Sequence, residues 1–238
     1  MKGSAIIFFS SFRIYILILV LFSCCSCNTR FLGSDFTSRE KWEIRRCYTG
    51  RFNLVMNRRS QEIIRLCNLA RRNPALLKKY VTKKYGEEYG NRTGISLAFK
   101  SNKNNKKPFL RPSYLLWLAA KSHAIVSGLT AYEGHRGMFT RMVVFGNFNV
   151  ALPGILSGEN CCYGYYQSID AFMGWMESGG HRANIMDEDF YRIGIGGSLH
   201  FSQYRYNIVQ CFSGPKVFDV LLRPQTVFTK KSKRKARH

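Results

Sequence analysis

Acidic side chains are the scarcest charged class in this chain of 238 residues: 14 Asp and Glu stand against 37 Lys and Arg, for a formal charge of +23. Such a surface attracts polyanions, whether nucleic acid, acidic lipid headgroups or anionic cell-wall polymers. Nothing resembling a helix-turn-helix or the paired aromatics of an RNA-binding sheet is present, so a specific nucleic-acid reader is excluded. Long apolar runs are missing too. The longest, Ile14 to Phe22, is nine residues, against the roughly 20 that a bilayer-crossing helix needs. No GxSxG elbow and no internal repeat occurs, and the five cysteines beyond residue 27 (Cys47, Cys67, Cys161, Cys162, Cys211) contain no CxxC and no Cys-His ligand spacing. A serine-elbow hydrolase, a solenoid and a structural zinc knuckle are thereby set aside.

What is present begins with a leader. Lys2 and Arg13 flank the early residues, a short apolar centre follows, and small residues come after it, the pattern of a secretory signal over 1–23. A longer anchor starting near Ala5 would hold Arg13 at mid-depth, at a cost of about 3 kcal/mol. Leu21-Phe22-Ser23-Cys24 also resembles a bacterial lipobox, with Cys24 the lipidated residue and mature N-terminus. Multiple acyl chains anchor a protein stably on a membrane without spanning it. An ordinary cleavable signal with incidental cysteines is the alternative, and would leave the protein secreted or periplasmic. Export permits disulfides, but five cysteines is an odd number, so at least one thiol stays free or pairs with the leader group of Cys24, Cys25 and Cys27.

The body divides into a polar, aperiodic arm over 24–57, a folded region over 58–214 and a basic tail over 215–238, whose last nine residues, Lys230 to His238, carry six positive charges. With 45% apolar and 14% aromatic residues, the chain can bury one sizeable core. Ile63, Leu66, Cys67 and Ala70 repeat at helical spacing up to Asn73-Pro74, where Asn73 can cap a second helix carrying Leu77, Tyr80 and Val81. The Gly-, Asn- and Lys-rich stretch from 85 to 112 reads as surface loops. Ser113 opens a helix with the stripe Leu115, Leu118, Ala119, Ser122, Val126 and Leu129, and His123 beside it reads as a satisfied structural histidine. Ser168 is a good cap for a helix over 169–177, with Ile169, Phe172, Met173 and Met176 buried and Gly179-Gly180 as its stop. Residues 192–199 and 204–212 form a predicted antiparallel hairpin. Helices followed by adjacent strands describe an α+β fold.

Three segments place ionisable groups beside glycines: Glu133-Gly-His135, Gly158-Glu159-Asn160 and Trp175-Met-Glu-Ser178-Gly-Gly-His181-Arg-Ala-Asn184. Two imidazoles and a carboxylate can ligate zinc or another divalent cation. They can also exchange protons without metal. Or they can tie loops together, with Asn160 and Asn184 as cap or loop residues and Arg182 as an ion-pair partner.

At these residues the sequence resembles the CAP superfamily, the cysteine-rich secretory, antigen 5 and pathogenesis-related group, in its bacterial SCP-like extracellular branch. The resemblance covers about 58–214 and implies a CAP-type α/β/α sandwich with a small antiparallel β-sheet between helical layers. It implies a cleft lined by His135, Glu159 and His181, with Ser178 at the position of a further glutamate and Glu177 one residue early. The last strand's Cys211 has Cys161 or Cys162 as a bridge partner, but only one of them, because neighbours in an extended strand face opposite ways. The reading is an exported cell-envelope protein that binds a ligand, including a small apolar one, or a divalent metal in the His/Glu cleft, while its basic surface associates with acidic lipid or cell-wall polymer. A metal-assisted hydrolase using Glu159, and an interaction module with a vestigial cleft, are the alternatives.

Overall fold

The structure is a computed structural model that describes residues 32–48, 56–102, 107–145 and 156–214. The leader, Cys24 and the basic tail lie outside the described residues. The arm expected to be irregular carries a helix, α1 (Ser38–Arg46), which starts with a capping box: Thr37 accepts from the Glu40 amide and the Glu40 carboxylate accepts from the Thr37 amide. Ile44 and the following Cys47 and Tyr48 enter the core, and the Cys47 carbonyl accepts from Asn68 Nδ2 at 2.8 Å.

The helix α2 (Arg58–Arg72) is capped by Asn57 and ends at Asn73. Asn73 in turn caps α3 (Pro74–Tyr85), accepting from the Leu76 amide, with Pro74 at the first helical position where no amide is needed. The 85–112 stretch expected as loops contains α4 (Glu87–Gly90) and α5 (Thr93–Ser101). Ile95 and Ala98 are buried there, so three-dimensional packing overrides a composition that locally favours turns. The remaining elements are β1 (Arg111–Pro112), α6 (Tyr114–Thr130), α7 (Met138–Val144), β2 (Ser157–Tyr163), α8 (Ser168–Glu177), α9 (Gly179–Met186), β3 (Arg192–Leu199) and β4 (Tyr206–Ser213).

The sheet order is β1-β3-β4-β2. The expected hairpin forms, and β2 joins it antiparallel; the two-residue β1 is parallel to β3, which makes the sheet mixed. Its two faces pack against different helices. Ile193, Ile195, Ile208 and Phe212 join the core built with α2, α3 and α8. Val209, Cys211 and Cys161 join Leu116, Ala119, Ala120 and Ala124 of α6 and Met142 of α7. This is the expected α/β/α layering.

The buried face of α6 is not the expected one. Leu115, Val126 and Leu129 are exposed, whereas Leu116, Ala119, Ala120, His123, Ala124, Ser127 and Gly128 are buried. The cause is the closeness of helix to sheet: a Cβ on Gly194 would lie 2.1 Å from the Leu116 carbonyl carbon, and one on Gly196 2.4 Å from the Lys121 amide. Small residues face glycines at such a contact, and the large apolar residues are turned out. Two other local expectations also fail. Ser168 is the first residue of α8 and donates to the Arg59 carbonyl instead of capping. Gly179 and Gly180 open α9 after an extended Ser178 rather than closing α8 in a left-handed turn.

Candidate functional site

The Glu159 side chain comes from β2, on the sheet face beneath α6 and α7, in register with Cys211. It is 0% exposed. His135 Nδ1 lies 3.1 Å from Oε1, and Arg141 Nη2 donates to Oε1 at 3.0 Å and to Oε2 at 2.7 Å. The thiols of Cys161 and Cys211 add weak contacts at 3.7 and 3.6 Å. Burial alone would raise the carboxyl pKa; the His135 and Arg141 contacts outweigh it, and Glu159 is held below the usual carboxylate range. His135 is shifted the other way, upward, by its hydrogen bond to Glu159 against a smaller effect of burial.

Local structure explains how these groups meet. Gly134 has φ +111°, a conformation open to glycine and strained for other residues. Its amide donates to the Tyr163 hydroxyl at 2.8 Å, and its carbonyl sits 2.8 Å from His123 Nε2. The turn is thus clamped from β2 and from α6, and the next residue, His135, is presented to Glu159. His123 is the satisfied histidine the sequence indicated, and it also lies 3.8 Å from Glu159 Oε1. Burial lowers its pKa despite that carboxylate. Gly137, at φ +69°, turns the chain into α7, which brings Arg141 back over Glu159; Arg141 also donates to the Arg136 carbonyl.

The GEN and GHRAN segments hold the scaffold beside this cluster. Asn160 Nδ2 donates to the His181 carbonyl at 3.1 Å and to Gln210 Oε1 at 3.0 Å. Asn184 Nδ2 donates to the Glu159 carbonyl at 3.2 Å and to Asn160 Oδ1 at 2.8 Å. Arg182, expected in an ion pair, donates instead to the Met176 carbonyl at 2.7 Å, tying α9 to the end of α8. The His181 pKa is lowered, first by burial and then by the charge of His135, and among the described residues its ring makes no hydrogen bond to Glu159 and does not line the cavity between α6 and α7. Glu177 is not a cleft residue: it takes Arg92 Nε and Nη2 at 3.0 and 2.6 Å and faces α5. Ser178 caps the junction of α8 and α9, its amide bonding to the Gly174 carbonyl and its carbonyl to the Arg182 amide.

The expected metal set of His135, Glu159 and His181 does not form. Donor atoms within 4.8 Å of one another belong to His123, Glu159 and Cys161, and this trio does not fit a cation as it stands. The Arg141 guanidinium already neutralises Glu159 and His123 Nε2 is engaged by a carbonyl, so two of the three donors hold partners that a cation would have to displace. The five described cysteines are free thiols. Cys161 and Cys162 do face opposite layers, and of the two it is Cys161 that shares Glu159 with Cys211.

A cavity of about 620 Å³ opens between α6 and α7 next to this cluster, lined by Val126 and Phe145, by Ser122 and Thr140, and by Arg136 and Arg141. Reading of the sequence missed Arg141. The signal was there: a buried glutamate in so basic a chain needs a cation close by, and Gly137 marks the turn that delivers one six residues after His135.

Residues 114–212 match the family model described as CAP, cysteine-rich secretory protein family. A solved structure of an extracellular protein containing a SCP domain from Bacillus anthracis str. Ames is 22% identical, with 56% of this chain and 43% of that one covered and a TM-score of 0.38. This chain thus spans less than half the length of that protein. No curated protein matches.

Proposed function

We propose that this chain, whose residues 114–212 match the CAP family model, is an exported, envelope-associated protein that binds a small anionic amphiphile in the cleft beside His135 and Glu159. Export rests on the leader and on the secretory character in the family's description, and lipid anchoring on the lipobox at Cys24. No helix among the described residues is long and apolar enough to cross a membrane.

The observation that carries the binding reading is the cavity's lining: Val126 of α6, Phe145 just after α7 and the carbon faces of Tyr132, Thr130 and Thr140, with Arg136 and Arg141 among them and half-exposed His135 next in sequence. Apolar walls with a few placed charges describe a ligand site. Hydrolysis is disfavoured by the state of the groups. Glu159 is held ionised by two partners and has little basicity to offer.

The test uses a fluorescent sulfonate, anilinonaphthalene sulfonate, as probe. Wild type should bind one equivalent saturably, and Thr140→Trp, which fills the cavity, should abolish binding with the fold intact. His135→Ala should weaken it about tenfold, the loss of one charge-assisted contact. Binding equal in all three proteins would leave the cleft vestigial. Stoichiometric zinc uptake by wild type, lost in His123→Ala, would return the metal reading, and turnover of envelope material lost in Glu159→Gln would return the hydrolase.

A further inference from the structure

The exposed arc of α1 is a second surface, built from different residues. At 100° per residue, Ser38, Arg39, Lys41, Trp42, Arg45 and Arg46 fall on a continuous arc of about 160°, while Glu40, Glu43 and Ile44 fall on the remainder. Ile44 is the helix's one buried residue. Both acids are turned to the body and engaged there: Glu40 takes Lys79 Nζ at 2.8 and 2.9 Å, and Glu43 takes Asn73 Nδ2 at 3.3 Å from each oxygen. The four cations of the arc form no ion pair among the described residues.

Aromatic rings are interleaved with this charge. The Arg46 guanidinium carbon lies 4.5 Å from the ring centre of Trp42 and 5.4 Å from that of Phe109, and Arg72 lies 4.8 Å from Phe109 on the same ring. Stacking orders the guanidinium groups without neutralising them. Trp42 is 56% exposed, a large apolar ring left in water beside cations that form no ion pair among the described residues. Indole rings with Lys and Arg are the side chains that settle at a bilayer's headgroup level, the cations drawn by anionic lipid.

The chain's course adds position. Leu32, the first described residue, is eight residues from Cys24, and an extended chain of that length reaches no more than about 28 Å. We infer that α1, with Phe109, is a membrane-apposed face that rests on the headgroups of anionic lipids. This placement rests on the anchored reading given above; the charge and ring arrangement stands without it. Soluble polyanions would meet the same cations but gain little from an exposed indole, which favours the lipid surface.

The test uses the full chain, as extracted from the envelope, with phosphatidylcholine vesicles containing or lacking phosphatidylglycerol and carrying brominated acyl chains. Trp42 emission, obtained as the difference between wild type and Trp42→Phe, should be quenched by the brominated chains in phosphatidylglycerol vesicles. In a Cys24→Ala background, Arg45→Gln with Arg46→Gln should weaken association with those vesicles about 25-fold. If Trp42 stays as open to aqueous iodide on the vesicles as in solution while the protein floats with them, the face is overturned and the anchor stands. If Cys24→Ala floats with neutral vesicles as wild type does, the anchor is overturned, and quenching retained in phosphatidylglycerol vesicles keeps the face. Protection of Trp42 by soluble polyphosphate but not by vesicles would overturn the lipid in favour of an envelope polymer.

Discussion

Two buried glutamates in this fold have nearly the same chemistry and different surroundings. Glu62, on α2, contacts Arg65 and takes Lys84 Nζ at 2.8 Å and the Tyr80 and Tyr85 hydroxyls at 2.8 and 3.0 Å. Glu159 takes Arg141 and His135. Burial pushes each carboxyl up, and the cations outweigh it in both cases, leaving both pKa values lowered. The difference is in who the partners are. Those of Glu62 come from its own helix and the next one, within 23 residues. Those of Glu159 come from a glycine turn and a short helix; one of them, His135, has 49% of its side chain exposed, and a cavity opens alongside. In exposure the difference is one of degree: Lys84, the more exposed cation on Glu62, is 29% exposed, whereas His135 is 49% exposed and lies next to a cavity.

The largest expected effect falls on the closed cluster. Glu62→Ala leaves Arg65 and Lys84 facing a buried gap, and removing one member of a buried pair costs about 3–5 kcal/mol. At roughly 2–4 °C per kcal/mol for a domain of this size, Tm should fall by about 10 °C, while probe binding in the cleft stays at the wild-type value. Equal losses of stability and binding would break the distinction between the clusters.

Glu159→Gln should separate stability from binding at the open cluster. The amide keeps an oxygen for Arg141 but loses the charge, so a loss of about 2 kcal/mol is expected in thermal unfolding. The guanidinium, no longer neutralised, should hold the sulfonate probe more tightly, by about tenfold. A variant that loses both stability and binding would make Glu159 scaffold in the manner of Glu62.

Much of this was legible in the sequence, and the failures share a cause. The hairpin, α2, α3 and the buried face of α8 follow from periodicity, because each carries its apolar residues at the spacing of its element, although α2 is buried well beyond that stripe. The His135–Glu159 contact came from the family motifs, and the structure supplies its reason in the clamped Gly134 turn. The reading failed where contact distance rather than hydrophobicity sets the choice of residue. On α6, glycines at 194 and 196 admit the helix so closely that Ala120 and Ala124 are buried and Val126 and Leu129 exposed. The metal set failed because it was read from ligand types alone; the competitor for the carboxylate, Arg141, lies on α7, which no apolar period announces. Glu177 was one residue from the position the resemblance marks, and Arg92, the residue that leads into α5, a helix hidden in a turn-like composition, holds it elsewhere.

The smallest expected effect is the pH dependence of the open cluster. The His135 pKa is raised in the folded protein, chiefly because the ring donates to Glu159. Its contribution to stability is therefore full below the ordinary histidine value of about 6.5 and is lost as pH rises through the folded value. The lowered Glu159 and Glu62 act oppositely, contributing above the ordinary carboxylate range and losing that contribution as pH falls through their folded values. The alkaline limb thus belongs to the open cluster, whereas the acid limb is shared with the closed one. Half-exposure screens the His135 pair, so its share of stability is small; the probe, whose sulfonate does not titrate in this range, reads the imidazolium more directly. Its affinity should fall a few-fold as pH rises past 6.5, about the value of one screened charge contact, and should be flat in His135→Gln. A slope that survives in His135→Gln would assign the titration to His123, which lines the cavity and whose pKa is shifted down by burial; one that also survives in His123→Gln would assign it to His181, likewise shifted down, and would place the ligand against α9 instead of against α7.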